Sequence, residues 1–250
     1  MRSRPKRKNY ANKMNDNTLI FDFLKDLVAN NNREWFKANK ERYNTAWEMF
    51  NQMVDELIQA IVKFDDSVQY LTAKDCIYRI YRDLRFTQDK TPYKGHFGAY
   101  INAAGKKSFY GGYYLQLEPH QVVLASGVWW LPPKEMRALR YAIVDQIDIF
   151  EKIVDEPEFK KHCPVIGFGT ERYKRIPNGF PKDFRRPEFL LCKDFTCSCT
   201  LKPSDLNKKD YIQHLAELFH CMKPFNDFLK ENVLINLEEM ESMKNVVKFF

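Results

Sequence analysis

The sequence predicts a single α+β domain, an antiparallel sheet of about five strands packed with a long N-terminal helix and later helices. Three observations carry this. From Asn31 to about Phe64, the residues Trp35, Phe36, Tyr43, Trp47, Phe50, Val54, Leu57, Ile58 and Ile61 recur at three- and four-residue spacing, the period of a helix with one buried face. Short β-prone runs then follow one another with brief connections, which suits an antiparallel meander. Helical periodicity returns at Pro133 and again after Ser204.

Taken in order, residues 1–17 are polar, basic and Asn-rich and read as a disordered arm, with residues 18–250 forming the domain. Thr18 is placed to cap a short helix carrying Leu19, Phe23, Leu27 and Val28. Asn31 is placed to start the long helix, with Glu34 in the capping-box position. Strands are expected at Ile77–Tyr81, His96–Asn102, Ser108–Glu118, Gln121–Ser126 and Phe195–Leu201. Gly111 and Gly112 inside the third imply a bulge or a close backbone approach. Alternation along that strand puts Tyr110, Tyr114 and Gln116 on one face and Phe109, Tyr113, Leu115 and Leu117 on the other. Trp129 and Trp130 are expected to anchor the helix that Pro133 opens, with the lining of a pocket mouth as the alternative; the stripe of that helix is Met136, Leu139, Ile143, Ile147 and Phe150. Residues 162–190 are irregular, and the stretch 171–186 within them is basic, with Arg172, Lys174, Arg175, Lys182, Arg185 and Arg186 against only Glu171 and Asp183. In the last helical region, Pro224 is expected to divide the helix.

One stretch concentrates the charge. Arg79–Lys94 reads RIYRDLRFTQDKTPYK and holds three arginines, two aspartates, two lysines, two tyrosines and a phenylalanine. Arginine forks suit carboxylate or phosphate groups, which they grip by two bonds. Arg82, Arg85, Lys90 and Tyr93 fall in or beyond a turn and are the first choice for ligand contacts. Arg79 stands next in support, and Lys94 and His96 lie further out. Asp83 and Asp89 have three readings. They orient the arginines around an anion, they consume the arginine donors in an internal ion-pair network, or they act as acid–base groups or metal ligands in an enzyme.

This stretch resembles the signature of a bacterial and fungal family known as domain of unknown function 2461, R-x-x-R-D-x-R-F-x-x-D-K-x-x-Y. Arg79, Arg82, Asp83, Arg85, Phe86, Asp89, Lys90 and Tyr93 meet it without departure. The flanking segments NNREWFKANKERY, TPYKGHFGAY and GYYLQLEP fit too, and the resemblance runs from about Leu19 to about Leu229. It implies no activity, because the family is uncharacterised, and it carries no catalytic residue over.

Charge and motifs narrow the function further. The net charge of +7 is concentrated, since residues 1–13 alone hold Arg2, Arg4, Lys6, Arg7, Lys8 and Lys13 and no acid. The rest of the chain therefore lacks the overall basic bias of a duplex-binding domain. Met14 follows this arm, so the arm itself is open to being an artefact of start-codon choice. No phosphate loop, dinucleotide fingerprint or nucleophile elbow is present in the sequence. Cys192, Cys197 and Cys199 lack a zinc-ribbon spacing, and Phe195, Cys197, Cys199 and Leu201 share one strand face as core residues do. No metal site and no cofactor are expected. Scattered cysteines and the lack of a spanning segment point to the cytoplasm. The leading expectation is a cytoplasmic module binding an anionic, phosphorylated or carboxylated small molecule. The alternatives are an enzyme on a phosphorylated or nucleic-acid substrate, and an interaction protein with the motif as an internal network.

Overall fold

The computed structural model describes residues 17–85, 87–106, 108, 111–167 and 172–247, with side chains as far as Asn232. The basic arm, Phe86, Phe109, Tyr110 and Glu171 lie outside the described residues. The order is α1 (Thr18–Ala29), α2 (Arg33–Ala38), α3 (Lys40–Val62), α4 (Ala73–Cys76), β1 (Phe97–Ile101), β2 (Gly112–Glu118), β3 (Gln121–Val128), α5 (Pro133–Asp145), α6 (Ile147–Val154), α7 (Pro157–His162), α8 (Pro187–Leu190), β4 (Phe195–Leu201) and α9 (Tyr211–Val247). None of the described helices is long and apolar enough to cross a membrane.

The sheet is an antiparallel meander of four strands in the order β1-β2-β3-β4. The fifth expected strand, Ile77–Tyr81, makes only isolated bridges, Ile77 with Ala99 and Tyr81 with Tyr93. It pairs with β1 at its start, then leaves the sheet to pair with the return of its own loop.

Period two along each strand sorts the residues into two unlike faces. One face carries Phe97, Ala99, Ile101, Tyr113, Leu115, Leu117, Val122, Leu124, Phe195 and Cys197, all buried in one continuous core. Against it, α9 packs on β3, α3 and α5, and α1 packs on α3. The aromatic stripe of α3 is core, as its spacing predicts. Phe97 meets Phe50 at 5.4 Å and Trp47 edge-on at 5.4 Å, with Phe23 stacked at 6.1 Å.

The long N-terminal helix is interrupted. Asn32, rather than Asn31, caps α2 by accepting from the Trp35 N–H at 2.9 Å. Asn39 then ends α2, its side-chain amide donating to the Trp35 carbonyl at 3.0 Å, and α3 restarts beyond it. Short amides compete with the helix for backbone partners, and both breaks fall on asparagine. Thr18 is the first residue of α1, not its cap, which is Asn17. The helix opened by Pro133 also breaks, at Gln146, whose amide reaches Asn232 on α9. Pro224, in contrast, does not divide α9. A proline costs one backbone bond, and the buried Phe219, Met222, Phe225 and Phe228 on either side hold the helix in place.

Glycine sets the spacing of β1 and β2. A methyl group on Gly112 would lie 2.8 Å from the Ile101 carbonyl oxygen and 2.8 Å from the Tyr100 ring. The close approach expected at this position is present.

On the covered face, the Tyr113 hydroxyl donates to Asp65 at 2.9 Å. Burial pushes the Asp65 carboxyl up. Hydrogen bonds from the Ser67 hydroxyl, Tyr113 and the Ser67 N–H outweigh it, and the net shift is downward. A depressed carboxylate stabilises the fold above its unfolded value and loses that contribution as pH falls through the folded value. Tyr113→Phe should therefore cost about 1.5–3 kcal/mol near neutral pH. In urea denaturation the deficit should shrink as pH falls below the ordinary aspartate value of 3.8.

Candidate ligand-binding site

The charged motif folds into a hairpin that projects from the edge of β1. The Tyr78 N–H donates to the Gly98 carbonyl at 2.9 Å, which ties the incoming arm to the sheet. Lys94 N–H to Ile80 at 2.8 Å and Arg82 N–H to Pro92 at 3.0 Å close the two arms on each other. Asn31, left free by the helix cap, docks the hairpin on the helical layer. Its amide donates to the Tyr93 carbonyl at 2.9 Å and its oxygen accepts from the Tyr93 N–H at 3.1 Å.

Within the tip, the expected ligand contacts have internal partners. Arg82 pairs with Asp89 and bonds Thr91. Arg85 grips Asp83, with Nη2 at 2.6 Å and Nε at 2.9 Å. Lys90 donates to the Leu84 carbonyl at 3.0 Å. Tyr93 is buried and stacks on Phe36 at 4.0 Å. The Arg85 side chain and its N–H hold Asp83 well below the usual carboxylate range. The Thr91 N–H, then Arg82, bring Asp89 down to about 2. Carboxylates so firmly ionised and so exposed are poor general acids. A shallow groove between the tip and α2 includes Lys90 and Asp89, but both already serve the hairpin.

Arg79 stands apart. It is exposed at the base of the hairpin, on the side of Lys94. This base borders a cavity of about 590 Å³ on the sheet face that the helices do not cover. Tyr100 and His96 line it from the β1 side, Tyr114 and Gln116 from β2, Ala125, Ser126 and Gly127 from β3, and Thr196 from β4. Tyr78 and Lys94 close one end, and Trp129 and Trp130 the other.

The strands position these groups by alternating rings with small residues. A methyl group on Gly98 would lie 3.1 Å from the Tyr114 hydroxyl, so the Tyr114 ring lies low over β1. Along β2, Tyr114 donates to Gln116 and Gln116 to Glu118, which also accepts from Gln121 at 2.9 Å. Asn102 donates to the Tyr100 hydroxyl at 3.2 Å. Burial raises the Tyr100 phenol to about 12 despite the bond from Asn102 and with a further push from Tyr78; burial also raises Tyr114. Both remain neutral hydroxyls at physiological pH. Burial, then Arg79, lowers the Lys94 amine. Burial and Lys94 lower His96, against the pull of Glu118.

A family model covers most of the chain, the hairpin included. The chain belongs to the DUF2461 family of conserved hypothetical proteins, matched over residues 19–228. No curated protein and no solved structure matches significantly. Family membership therefore assigns no activity.

Sequence reasoning placed Lys94 and His96 at the margin of the site and missed Tyr78, Tyr100, Ser126 and Thr196. It set Trp129 and Trp130 first as anchors of α5 and second as the lining of a pocket mouth; they are 63% and 62% exposed and line the cavity. A usable signal was present. On the cavity face, Gly98, Gly112, Ala125 and Gly127 alternate with tyrosines, a pattern of small and aromatic residues unlike the branched aliphatics of the core face. The basic loop is fastened down. Arg185 pairs with Asp148 and Glu151, Arg186 with Asp155 and Glu188, and Arg172 bonds the Ile166 and Glu188 carbonyls. It ties to α6 and α8.

Two substitutions separate docking from surface charge in the hairpin. Asn31→Ala removes both bonds to the partly buried Tyr93 backbone and should destabilise by about 1–3 kcal/mol. Arg85→Ala breaks the solvent-exposed pair with Asp83 and should change the denaturation midpoint little.

Proposed function

We propose that this protein is a binding module for a small anionic ligand with a flat apolar body, seated in the cavity on the open sheet face. One observation carries the reading: a roomy aromatic cleft has a half-buried cation, Lys94, at one end and two exposed indoles at the other. Ligand sites combine apolar and aromatic walls with a few placed polar groups, and the lining has that composition. Lys94, supported by Arg79, meets the acidic group. Trp129 and Trp130 face the body of the ligand, and the Tyr114 and Tyr100 hydroxyls and Gln116 offer neutral hydrogen bonds. Of the contacts expected in the motif, Arg79 belongs to this site. Arg82, Arg85, Lys90 and Tyr93 serve the hairpin that carries Arg79 and Lys94 to the cavity edge.

The internal pairs Arg82–Asp89 and Arg85–Asp83 favour the same division of labour. A ligand that needed those forks would have to displace a carboxylate from each.

A thermal-shift screen of aromatic and aliphatic carboxylates and phosphates tests the proposal. An aromatic acid at 100 times its Kd should stabilise the protein by about 2.7 kcal/mol. The shift should disappear in Lys94→Met and persist in Arg85→Ala. A hit whose shift survives Lys94→Met and is lost in Arg85→Ala would move the site to the hairpin tip.

A further inference from the structure

We infer that Lys94 is an amine nucleophile toward carbonyl compounds, and that the ligand class of this cavity includes 2-oxo acids. The inference rests on the binding reading above for the ligand's identity, but the reactivity of Lys94 stands on its own surroundings.

Most paired lysines of this chain have an evident structural duty. Lys160, Lys161, Lys208 and Lys223 pair with carboxylates, and Lys90 and Lys106 donate to backbone carbonyls. Lys94 has neither kind of partner among the described residues. Its Nζ lies 5.3 Å from the centroid of the Tyr78 ring, inside the cavity wall. The groups around it are Tyr78 and Arg79 from the incoming arm, His96 just before β1, Tyr100 on β1 and Tyr114 on β2, with Glu118 beyond His96 and already bonded to Gln116 and Gln121. The Tyr78 ring favours an ammonium. Partial burial, then the fixed charge of Arg79, oppose it and lower the Lys94 amine from its ordinary value. A desolvated lysine beside a second cation, in an apolar cleft, is the arrangement that activates lysine for imine formation. Arg79, with its planar guanidinium fork, remains to hold a carboxylate.

The step balances without an oxidant or reductant. Lys94 releases its ammonium proton to solvent, and the Nζ lone pair adds to the carbonyl carbon as the C=O π pair moves to oxygen. A proton passes from nitrogen to that oxygen, and the hydroxyl leaves as water when protonated again. Loss of the remaining N–H proton gives the imine. A 2-oxo acid presents the carbonyl next to a carboxylate, so one ligand can meet Lys94 and Arg79 together.

Reactivity is read first with a probe that needs no binding site. Limiting formaldehyde with cyanoborohydride methylates free amines, and peptide mass spectrometry orders the lysines by rate. Lys94 should be labelled ahead of the exposed Lys63 and Lys209 at neutral pH. Labelling level with or behind them overturns the inference whatever the cavity binds. The second arm compares phenylpyruvate with phenyllactate, which lacks the carbonyl. Both should raise the melting temperature, and only phenylpyruvate with cyanoborohydride should leave a stable mass on Lys94, lost in Lys94→Arg. Stabilisation by both with no adduct sinks the covalent step and leaves the binding reading standing. Stabilisation by neither, with Lys94 still labelled first by formaldehyde, upholds the nucleophile and rejects that ligand class.

Discussion

A β-sheet has two faces, and α1, α3 and α9 build the core on only one of them. This constraint governs the rest of the molecule. The helix side takes the large apolar residues of every strand, from Phe97 and Ile101 through Tyr113 and Leu117 to Phe195. Among the described residues, the opposite side satisfies its strands without a second layer of helices. It does so with glycines and alanine where the backbone is bare, and with tyrosines that end in hydroxyls and join a polar chain along β2. The cleft between the motif hairpin and the Trp129–Trp130 pair is what this solution leaves open.

The hairpin turns charge into architecture. Exposed ion pairs contribute little to stability, so the four charged partners at its tip are better understood as setting its shape. Arg82 links the two arms through Asp89 and Thr91, and Lys90 closes the turn on the Leu84 carbonyl. Asn31 and the Tyr93–Phe36 stack fix the whole unit to the helical layer. The outcome is a mount that sets Lys94 at the rim of an apolar cleft with Arg79 beside it, where partial desolvation makes the Lys94 charge count for more than it would in water.

The sequence made the elements with strong periodicity legible. The meander, the α3 stripe and the core face of β4 all follow from spacing, because burial of one face enforces a period. What stayed hidden depended on competition between near-equal partners. Asn31 and Asn32 were both able to cap α2; Asn32 does so because Asn31 is held by Tyr93, 62 positions away in sequence. Ile77–Tyr81 has the composition of a strand but is diverted by the return of its own loop. Pro224 marks a helix end by local rule and is overridden by burial on both sides. At the site, the motif drew attention through charge density, yet spacing alone does not say whether an arginine meets an aspartate two residues away or a ligand. The cavity was less legible, since it combines residues from Tyr78 to Thr196 and its signal is the absence of large aliphatics on one strand face.

The most direct test of this account is indole and amide NMR of the protein titrated with an aromatic carboxylate. The chain has four tryptophans, two in the α2–α3 layer and two at the cavity mouth. Binding on the open sheet face should move the indole signals of Trp129 and Trp130 and the amides of Lys94, Gln116 and Thr196. Trp35, Trp47 and the hairpin-tip amides of Asp83, Arg85 and Thr91 should stay in place. Movement of the hairpin-tip amides with the Trp129 and Trp130 indoles unchanged would contradict the account and return the site to the charged motif.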